Sequence, residues 1–143
     1  MILKRGFTLI ELLVVVAIAA FILSFVFVSV RDAKAKSRDV RREQDIKQLQ
    51  SALGIYNINS RQFPICARSA INGASDCLSA ALLGSGAVNV LPTDPLGGGT
   101  GECLAGGVFV YCYESDGGNY TLHHNLETNS IPGKSAGWQQ TKP

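Results

Sequence analysis

The hydrophobic pattern of this chain begins with a long apolar run. Residues 7–30 are apolar except for Thr8, Glu11, Ser24 and Ser29. As a helix, this run would be roughly 36 Å long, which exceeds the ~30 Å hydrocarbon core of a bilayer. The pattern therefore predicts a membrane-spanning helix (7–30) with one carboxylate, Glu11, near its start.

The apolar positions that follow recur at helical spacing. Four of them are three or four residues apart and share one helix face: Ile46, Leu49, Leu53 and Tyr56. Residues 31–53 contain neither glycine nor proline, so nothing in this stretch is expected to break a helix. We predict one helix from Phe7 to about Asn59, whose amphipathic second half (31–60) packs this stripe on the core of a head.

The remainder of the chain, residues 61–143, predicts a globular head. Residues 61–107 are rich in glycine, serine, alanine and proline, which predicts a loop region with one short helix at 78–83. Residues 108–113 and 119–126 are rich in β-branched and aromatic residues, which predicts two strands of a small antiparallel sheet. The predicted fold class is α+β, with the long N-terminal helix packed on the head.

Alternation along the second predicted strand separates its two histidines. One face carries Tyr120, Leu122, His124 and Leu126. We therefore predict that His124 faces the core and that His123 does not. Adjacent histidines on a strand make a poor pair of metal ligands, so strand packing is the favoured interpretation of both.

Charge is distributed unevenly along the chain. Residues 31–47 hold seven basic and four acidic side chains, whereas residues 48–143 hold four basic and six acidic ones. The pattern predicts that 31–47 is a solvated helix face or one side of a contact between subunits. The mildly acidic distal part disfavours a nucleic-acid-binding domain, which usually carries its basic residues on the globular part.

The four cysteines all lie in the distal part, at Cys66, Cys77, Cys103 and Cys112. None is in a CxxC pair, and only the two histidines could join them around a metal ion, so two disulfides in an oxidising compartment are favoured. This compartment places the head outside the cytoplasm. Four cysteines allow three connectivities, of which we favour the two local pairs, Cys66–Cys77 and Cys103–Cys112.

Two simpler interpretations of the N-terminal run compete with these expectations. A secretory signal peptide would use the basic residues up to Arg5 and an A-x-A cleavage pattern at 17–19. Against it, the run continues eleven residues past Ala19, and a carboxylate inside such a region costs about 2–3 kcal/mol. A plain membrane anchor would tolerate Glu11 near the interface, but it does not account for Gly6 directly before Phe-Thr-Leu-Ile-Glu.

The segment "KRGFTLIELLVVVAI", residues 4–18, resembles the processing site and N-terminal helix of type IV pilins and type II secretion pseudopilins, with a class III prepilin-type signal. In that family, a membrane-embedded prepilin peptidase and methyltransferase cuts after a glycine on the cytoplasmic side and methylates the new amino terminus. The resemblance implies a leader peptide (1–6), cleavage between Gly6 and Phe7, and N-methylation of Phe7. It also implies that Glu11 pairs with the amino terminus of a neighbouring subunit during assembly.

The same resemblance implies a structural subunit, not an enzyme, with no catalytic residues and no cofactor. Its expected partners are copies of the chain in a helical filament, other pilins, the prepilin peptidase, and an inner-membrane assembly machinery with a cytoplasmic ATPase. The chain would first span the inner membrane with its head in the periplasm and then join a periplasmic or cell-surface filament. Because an unpaired buried carboxylate is costly, we expect Glu11 to be satisfied only in the polymer.

Two further motifs carry the resemblance into the head. "ALGIYNINSRQFP" (52–64) resembles the Ala-Leu-x-x-Tyr…Tyr-Pro end of the pseudopilin helix, with Phe63 in place of tyrosine. "LPTDPLGG" (91–98) resembles the Leu-Pro-x-Asp-Pro-Trp-Gly turn of major, G-type pseudopilins, with Leu96 where tryptophan is usual. Both motifs favour a pseudopilin. However, Val28 stands where many members carry a proline, and the C-terminal calcium loop of major pseudopilins is not recognisable, so pilus and secretion pseudopilus both stay open.

Other functions of the head receive less support. Asp94, Glu114 and Asp116 carry oxygen ligands of the kind that calcium prefers, but solvated turn residues are the favoured interpretation, and we predict no metal. The alternative function is a minor tip pilin that adheres to a surface or takes up DNA, although the acidic head disfavours nucleic acid as a partner. A membrane-anchored hydrolase is disfavoured because the head shows no convincing Ser-His-Asp, Cys-His or paired-carboxylate arrangement.

Overall fold

The computed structural model of the chain describes residues 6–143, except for the side chains of residues 25–28. The chain divides into two compact units, the first ending at Ala35 and the second running Lys36–Pro143. Of the leader predicted at 1–6, only Gly6 is described, and the basic residues Lys4 and Arg5 lie outside the described residues. The predicted domain boundaries therefore stay predictions.

A single long helix, α1, runs Leu9–Ser60. Its first half is apolar on all sides, and its second half has one apolar stripe, so the change in pattern near residue 30 does not interrupt the helical backbone. The helix ends where Arg61 takes a left-handed conformation (φ 57°), while its N–H still donates to the Asn57 carbonyl at 2.7 Å. Such a left-handed residue is a common way to close a helix. The predicted helix is confirmed, with both ends within two residues of the expected ones.

The head contains one short helix and four strands. They are β1 (Cys66–Ala70), α2 (Cys77–Gly84), β2 (Cys112–Ser115), β3 (Tyr120–Leu126) and β4 (Gly137–Thr141). All neighbours in the sheet are antiparallel, and the strands lie in the order β1-β2-β3-β4. The predicted α+β class, with a long N-terminal helix and a small antiparallel sheet, is confirmed.

The helix α2 and the β2–β3 turn both follow local sequence signals. Asp76 is the N-cap of α2, and its carboxylate accepts from the Ser79 N–H at 3.0 Å. Between β2 and β3, the Asp116 carboxylate accepts from the N–H groups of Gly118 (2.9 Å) and Asn119 (2.8 Å). Gly117 supplies the positive φ of 95° that this turn needs.

The core of the second unit forms between α1, α2 and the sheet. Its principal buried residues are Ile46, Leu49 and Leu53 from α1, Leu78 and Leu82 from α2, and Tyr111, Tyr113, Tyr120 and Leu122 from the sheet region. Tyr56 packs against this cluster and is partly buried. The predicted stripe on α1 is therefore confirmed, and each fully buried aliphatic side chain contributes about 1.5–3 kcal/mol.

The Phe63-Pro64 pair that follows α1 belongs to the same core. The Phe63 ring packs edge-on against Tyr120, with 4.8 Å between ring centroids. The Pro64 carbonyl accepts a hydrogen bond from the Tyr113 hydroxyl at 2.9 Å. This pair of contacts directs the chain from the end of the helix to the start of β1, which gives the second motif of the sequence a packing role.

The predicted strands are only partly confirmed. The strand expected at 119–126 is β3, and all four residues of the predicted core face are buried; however, His123 and Asn125 of the other face are buried too, so burial does not alternate along the strand. The strand expected at 108–113 is wrong in position, because β2 runs only from Cys112 to Ser115. The preceding residues are held differently: the Val108 carbonyl accepts from the Asn125 side chain at 2.7 Å.

The glycine-rich segment after Asp94 approaches other backbone closely. An added Cβ at Gly97 would lie 1.7 Å from the Phe109 carbonyl oxygen, and one at Gly99 would lie 2.6 Å from the Asn72 Cα. Both positions therefore require glycine, because a side chain there would clash with backbone atoms that cannot rotate away. The segment 94–99 is a packed part of the head, although its composition resembles a flexible loop.

Candidate functional site

The helix α1 begins with a reciprocal capping arrangement between Thr8 and Glu11. The Thr8 N–H and hydroxyl both donate to Glu11 Oε2, at 2.9 and 2.7 Å, and the Glu11 N–H donates back to the Thr8 hydroxyl oxygen at 3.3 Å. A Thr-x-x-Glu sequence of this kind satisfies N–H groups that the first turn of a helix leaves without partners. Glu11 therefore has hydrogen-bond partners within its own chain, and its pairing in a polymer stays a prediction.

Glu11 is nevertheless surrounded by apolar side chains. It lies in a shallow groove with Phe7, Ile10, Val14 and Val15. Both hydrogen bonds from Thr8 go to Oε2, and within residues 6–143 no donor binds Oε1. The site therefore presents a half-satisfied carboxylate on an apolar surface.

The first unit exposes its apolar side chains throughout the described part of the helix. Phe7 is 81% exposed, and none of the large apolar residues from Leu9 to Leu23 is buried. The most apolar 18-residue stretch of α1 has a mean hydropathy of 3.0, and its length and composition suffice to cross a membrane. Such a surface is stable only in lipid or against other apolar surfaces.

The predicted cleavage residues lie just before this helix. Gly6, Phe7 and Thr8 have non-helical backbone, and an added Cβ at Gly6 would meet no atom within 4 Å. The Gly6–Phe7 bond is thus outside the hydrogen-bonded helix. The structure brings Gly6, Phe7 and Glu11 within one short segment, as predicted, and their roles stay predictions.

A second polar site lies inside the second unit, around Arg42. Its Nε and Nη2 donate to the two oxygens of Asp94 at 2.6 and 3.1 Å. Its Nη1 donates to Asp39 at 2.8 Å and to Glu127 at 2.6 Å. The guanidinium carbon lies 4.8 Å from the centroid of the Phe109 ring. Arg42 therefore joins α1 to two separate loops of the head.

The carboxylates around Arg42 make further hydrogen bonds. Asp39 accepts from the Glu127 N–H at 2.9 Å, and from the N–H and hydroxyl of Thr128 at 2.8 and 2.7 Å. Glu127 accepts from Arg38 Nε at 2.7 Å. Although burial alone would raise the pKa of Asp39, these hydrogen bonds hold it below its ordinary value. The pKa of Glu127 is lowered as well, first by Arg38.

This cluster corrects the prediction for residues 31–47. Asp39 and Arg42 are both 0% exposed, so the expected solvated face is wrong at these positions. They precede Ile46, Leu49 and Leu53 at alternating spacings of three and four residues, which continues the buried stripe with charged side chains. That spacing is the signal that could have identified Arg42 from the sequence.

A third polar contact connects α1 to the sheet. The Tyr111 hydroxyl donates to the Asp45 carboxylate at 2.8 Å. Burial raises the pKa of both Asp45 and Tyr111. Asp45 also lies 3.9 Å from the exposed guanidinium of Arg41. This pair adds a second buried polar link between the helix and the head.

The three residues considered as calcium ligands each bind a different partner within the chain. Asp94 binds Arg42, Glu114 binds Arg68 through Nε at 2.9 Å, and Asp116 caps its own turn. Within residues 6–143, no three histidine, cysteine, aspartate or glutamate side chains lie close enough to hold a metal ion. Each carboxylate is instead occupied by a partner from the chain.

The two disulfides are the predicted local pairs. Cys66 bonds Cys77, which ties the start of β1 to the start of α2, and Cys103 bonds Cys112, which ties the preceding loop to β2. No free cysteine occurs in the described part of the chain. The favoured connectivity is confirmed.

Comparison with known proteins agrees with the N-terminal geometry. Residues 1–27 match the prokaryotic N-terminal methylation motif. The chain is 34% identical over 61 residues to the type II secretion system core protein G of Pectobacterium carotovorum subsp. carotovorum. That alignment covers 43% of this chain and 39% of the relative, so the chain matches well under half of the relative's length. No solved structure matches the chain.

These matches fall on the same features that the structure places together. The methylation motif includes Gly6, Phe7 and Glu11, and it covers most of the exposed apolar helix. The described architecture, a long helix with a small antiparallel sheet, is the one expected for such a chain. The chain is thus similar to proteins with the N-terminal methylation motif at its start, and part of it is similar to a type II secretion system core protein G.

Proposed function

We propose that this chain is a structural subunit of a filament, either a type IV pilus or a type II secretion pseudopilus. The observation that carries the proposal is the helix start, where a half-satisfied Glu11 lies on an otherwise apolar, fully exposed helical surface. Before assembly, this helix spans the inner membrane while the disulfide-bonded head lies in the periplasm. In the filament, helices of neighbouring copies replace the lipid.

Processing takes place at the Gly6–Phe7 bond, by a prepilin peptidase that also methylates the new amino terminus of Phe7. The non-helical backbone of residues 6–8 supports this proposal, because a protease needs a segment free of helical hydrogen bonds. Because Gly6 has no side chain, the peptidase can approach the backbone closely at the cleaved bond. Assembly then involves other pilins and an inner-membrane machinery powered by a cytoplasmic ATPase.

Glu11 guides assembly by accepting a hydrogen bond from the amino terminus of a neighbouring copy. Among the described residues, Thr8 binds only Oε2 of Glu11 and no donor binds Oε1, so a neighbour's ammonium can bind Oε1 without first displacing Thr8. Inside an apolar filament core, a carboxylate and an ammonium that bind each other are stabilised, whereas either charge without its partner is costly. Glu11 therefore favours the one stagger between helices that brings an amino terminus to it.

The first test is the intact mass and N-terminal sequence of the protein recovered from its native membrane. We expect a chain that begins at Phe7 and is heavier by one methyl group. Gly6→Lys should leave the full-length, unmethylated chain in the membrane, because the large side chain obstructs cleavage. A wild-type chain that begins at Ala20, or that retains Met1, would contradict the proposed processing.

Glu11→Gln tests assembly separately from processing. We expect normal cleavage and a loss of sheared filaments of at least about tenfold, which corresponds to about 1.4 kcal/mol or more per subunit contact. Asp32→Asn is the matched control, since Asp32 is an exposed acidic residue of the same helix whose loss should leave filament yield near wild type. Equal yields for wild type and Glu11→Gln would exclude the proposed pairing.

A further inference from the structure

His124 of β3 lies fully buried against the second half of α1. Its Nε2 is 2.8 Å from Glu43 Oε1, and its side chain is 0% exposed. The same carboxylate also binds Lys134, whose Nζ lies 2.6 Å from Oε1 and 2.8 Å from Oε2. Lys134 belongs to the β3–β4 loop, residues 127–136, so one carboxylate of α1 holds both a strand and a loop.

The second ring nitrogen of His124 has no partner. Because a carboxylate can only accept, Nε2 carries the proton that faces Glu43, and Nδ1 holds a lone pair. Nδ1 is buried and makes no hydrogen bond in the described part of the chain. Protonation of the ring would therefore bury an N–H group that has no acceptor, which is costly.

The charged groups around the ring do not compensate for this cost. From α1, Glu43 attracts a positive ring and Arg42 repels it, and from the loop Lys134 repels it. The neighbouring strand β4 contributes the uncharged Gln139 opposite His124. Burial is the main reason why the pKa of His124 lies below its ordinary value.

The other anchors of the β3–β4 loop titrate in a different range. Glu127 binds Arg38 and Arg42, and Thr128 binds Asp39. The pKa values of Glu127, Asp39 and Glu43 are held below their ordinary carboxyl values by these partners and by Lys134 and His124. Above about pH 5, these carboxylates stay ionised, so the start of the loop stays attached while histidine titrates.

We propose that the contact of His124 and Lys134 with Glu43 is an acid-sensitive latch. It holds residues 131–136 on α1 at neutral pH and releases them as the pH falls below about 6.5. A charged ring would repel the Lys134 ammonium and compete with it for the single Glu43 carboxylate, which weakens the contact that holds Lys134 on α1. Residues 127–128 stay in place, so release is confined to the second half of the loop.

The direction of the effect follows from the protonation of the two states. The closed latch binds no proton on His124 until the pH falls below the lowered pKa, whereas the open latch takes up a proton near the ordinary histidine pKa of about 6.5. Between these two values the open state binds one more proton. The opening equilibrium should therefore rise by up to about tenfold for each unit of falling pH.

Hydrogen exchange of the full chain in detergent micelles tests the latch. We expect amide exchange in 131–136, corrected for the intrinsic effect of pH, to accelerate by up to about fivefold between about pH 6.5 and pH 5.5, while exchange in β3 changes little. His124→Gln should remove this pH dependence. His123→Gln is the matched control, because His123 faces Glu114 on the opposite side of the sheet and should behave as wild type.

A second measurement keeps the proposal testable if His124→Gln does not fold. The imidazole resonances of the wild-type chain report the titration of His124 directly, and His123→Gln identifies which signals belong to it. A His124 that titrates below about 6.5, together with faster exchange in 131–136, supports the latch. A His124 that titrates above that value, or exchange in 131–136 that does not follow its titration, overturns it.

Discussion

Replacing Arg42 by methionine is expected to destabilise the second unit by about 3–5 kcal/mol. The change keeps an unbranched side chain of moderate length but removes every donor that Asp39, Asp94 and Glu127 share. Those carboxylates then stay buried with like charges close together and no cation between them. Thermal unfolding of the full chain in detergent, followed by circular dichroism, should show a Tm lowered by more than about 10 °C.

Arg41→Met is the matched control for this loss. Arg41 is the adjacent residue of the same helix, but its side chain is 66% exposed and only 3.9 Å from its nearest carboxylate, Asp45. An exposed pair of this kind contributes about 0–1 kcal/mol, so the Tm should change by no more than a few degrees. Similar losses for Arg41→Met and Arg42→Met would contradict a role for the buried cluster and would indicate a general effect of helix charge.

The contrast between these two arginines shows where sequence patterns stop being informative. The apolar stripe of α1 was predictable because Ile46, Leu49 and Leu53 differ in polarity from the residues between them. Arg42 continues the same spacing, but arginine side chains are normally exposed to solvent. The spacing alone therefore suggests burial without saying what neutralises the charge, because its partner Asp94 lies 52 residues away.

The strands show the same limit in the head. β3 was predicted because its polarity alternates, and β4 was missed because Gly137–Thr141 is polar and half-buried, with a pattern set by pairing to β3. β1 was missed because its pairing with β2 contains an irregularity between Cys66 and Ser69. In both edge strands, partners elsewhere in the chain decide the conformation more than local propensity does.

The N-terminal site was the most predictable part, because its elements are local. Gly6, Phe7 and Glu11 lie within six residues of sequence, and the family motif matches them directly. The capping box of Thr8 and Glu11 is also local, because its Thr-x-x-Glu spacing is visible in the sequence.

Gly97→Ala is expected to destabilise the second unit by about 3 kcal/mol or more. The added Cβ would lie 1.7 Å from the Phe109 carbonyl oxygen and 2.9 Å from its carbon, and backbone at that distance must move. Unfolding of the full chain by heat or denaturant measures the loss. Gly106→Ala is the control, because a Cβ there meets nothing within 4 Å and the residue has no positive φ, so its effect should stay within about 1 kcal/mol.

The reason to expect a large effect lies in what the Gly97 turn positions. The Asp94 carboxylate that binds Arg42 also accepts from the Leu96 N–H at 2.8 Å, so displacement of the turn moves a ligand of the buried guanidinium. Gly97→Ala and Arg42→Met therefore damage one structure, and the double variant should lose at least about 1 kcal/mol less than the sum of the single losses. If the losses in unfolding free energy of the two single variants are additive, the turn stabilises the head independently of Arg42 and does not hold Asp94 against the helix.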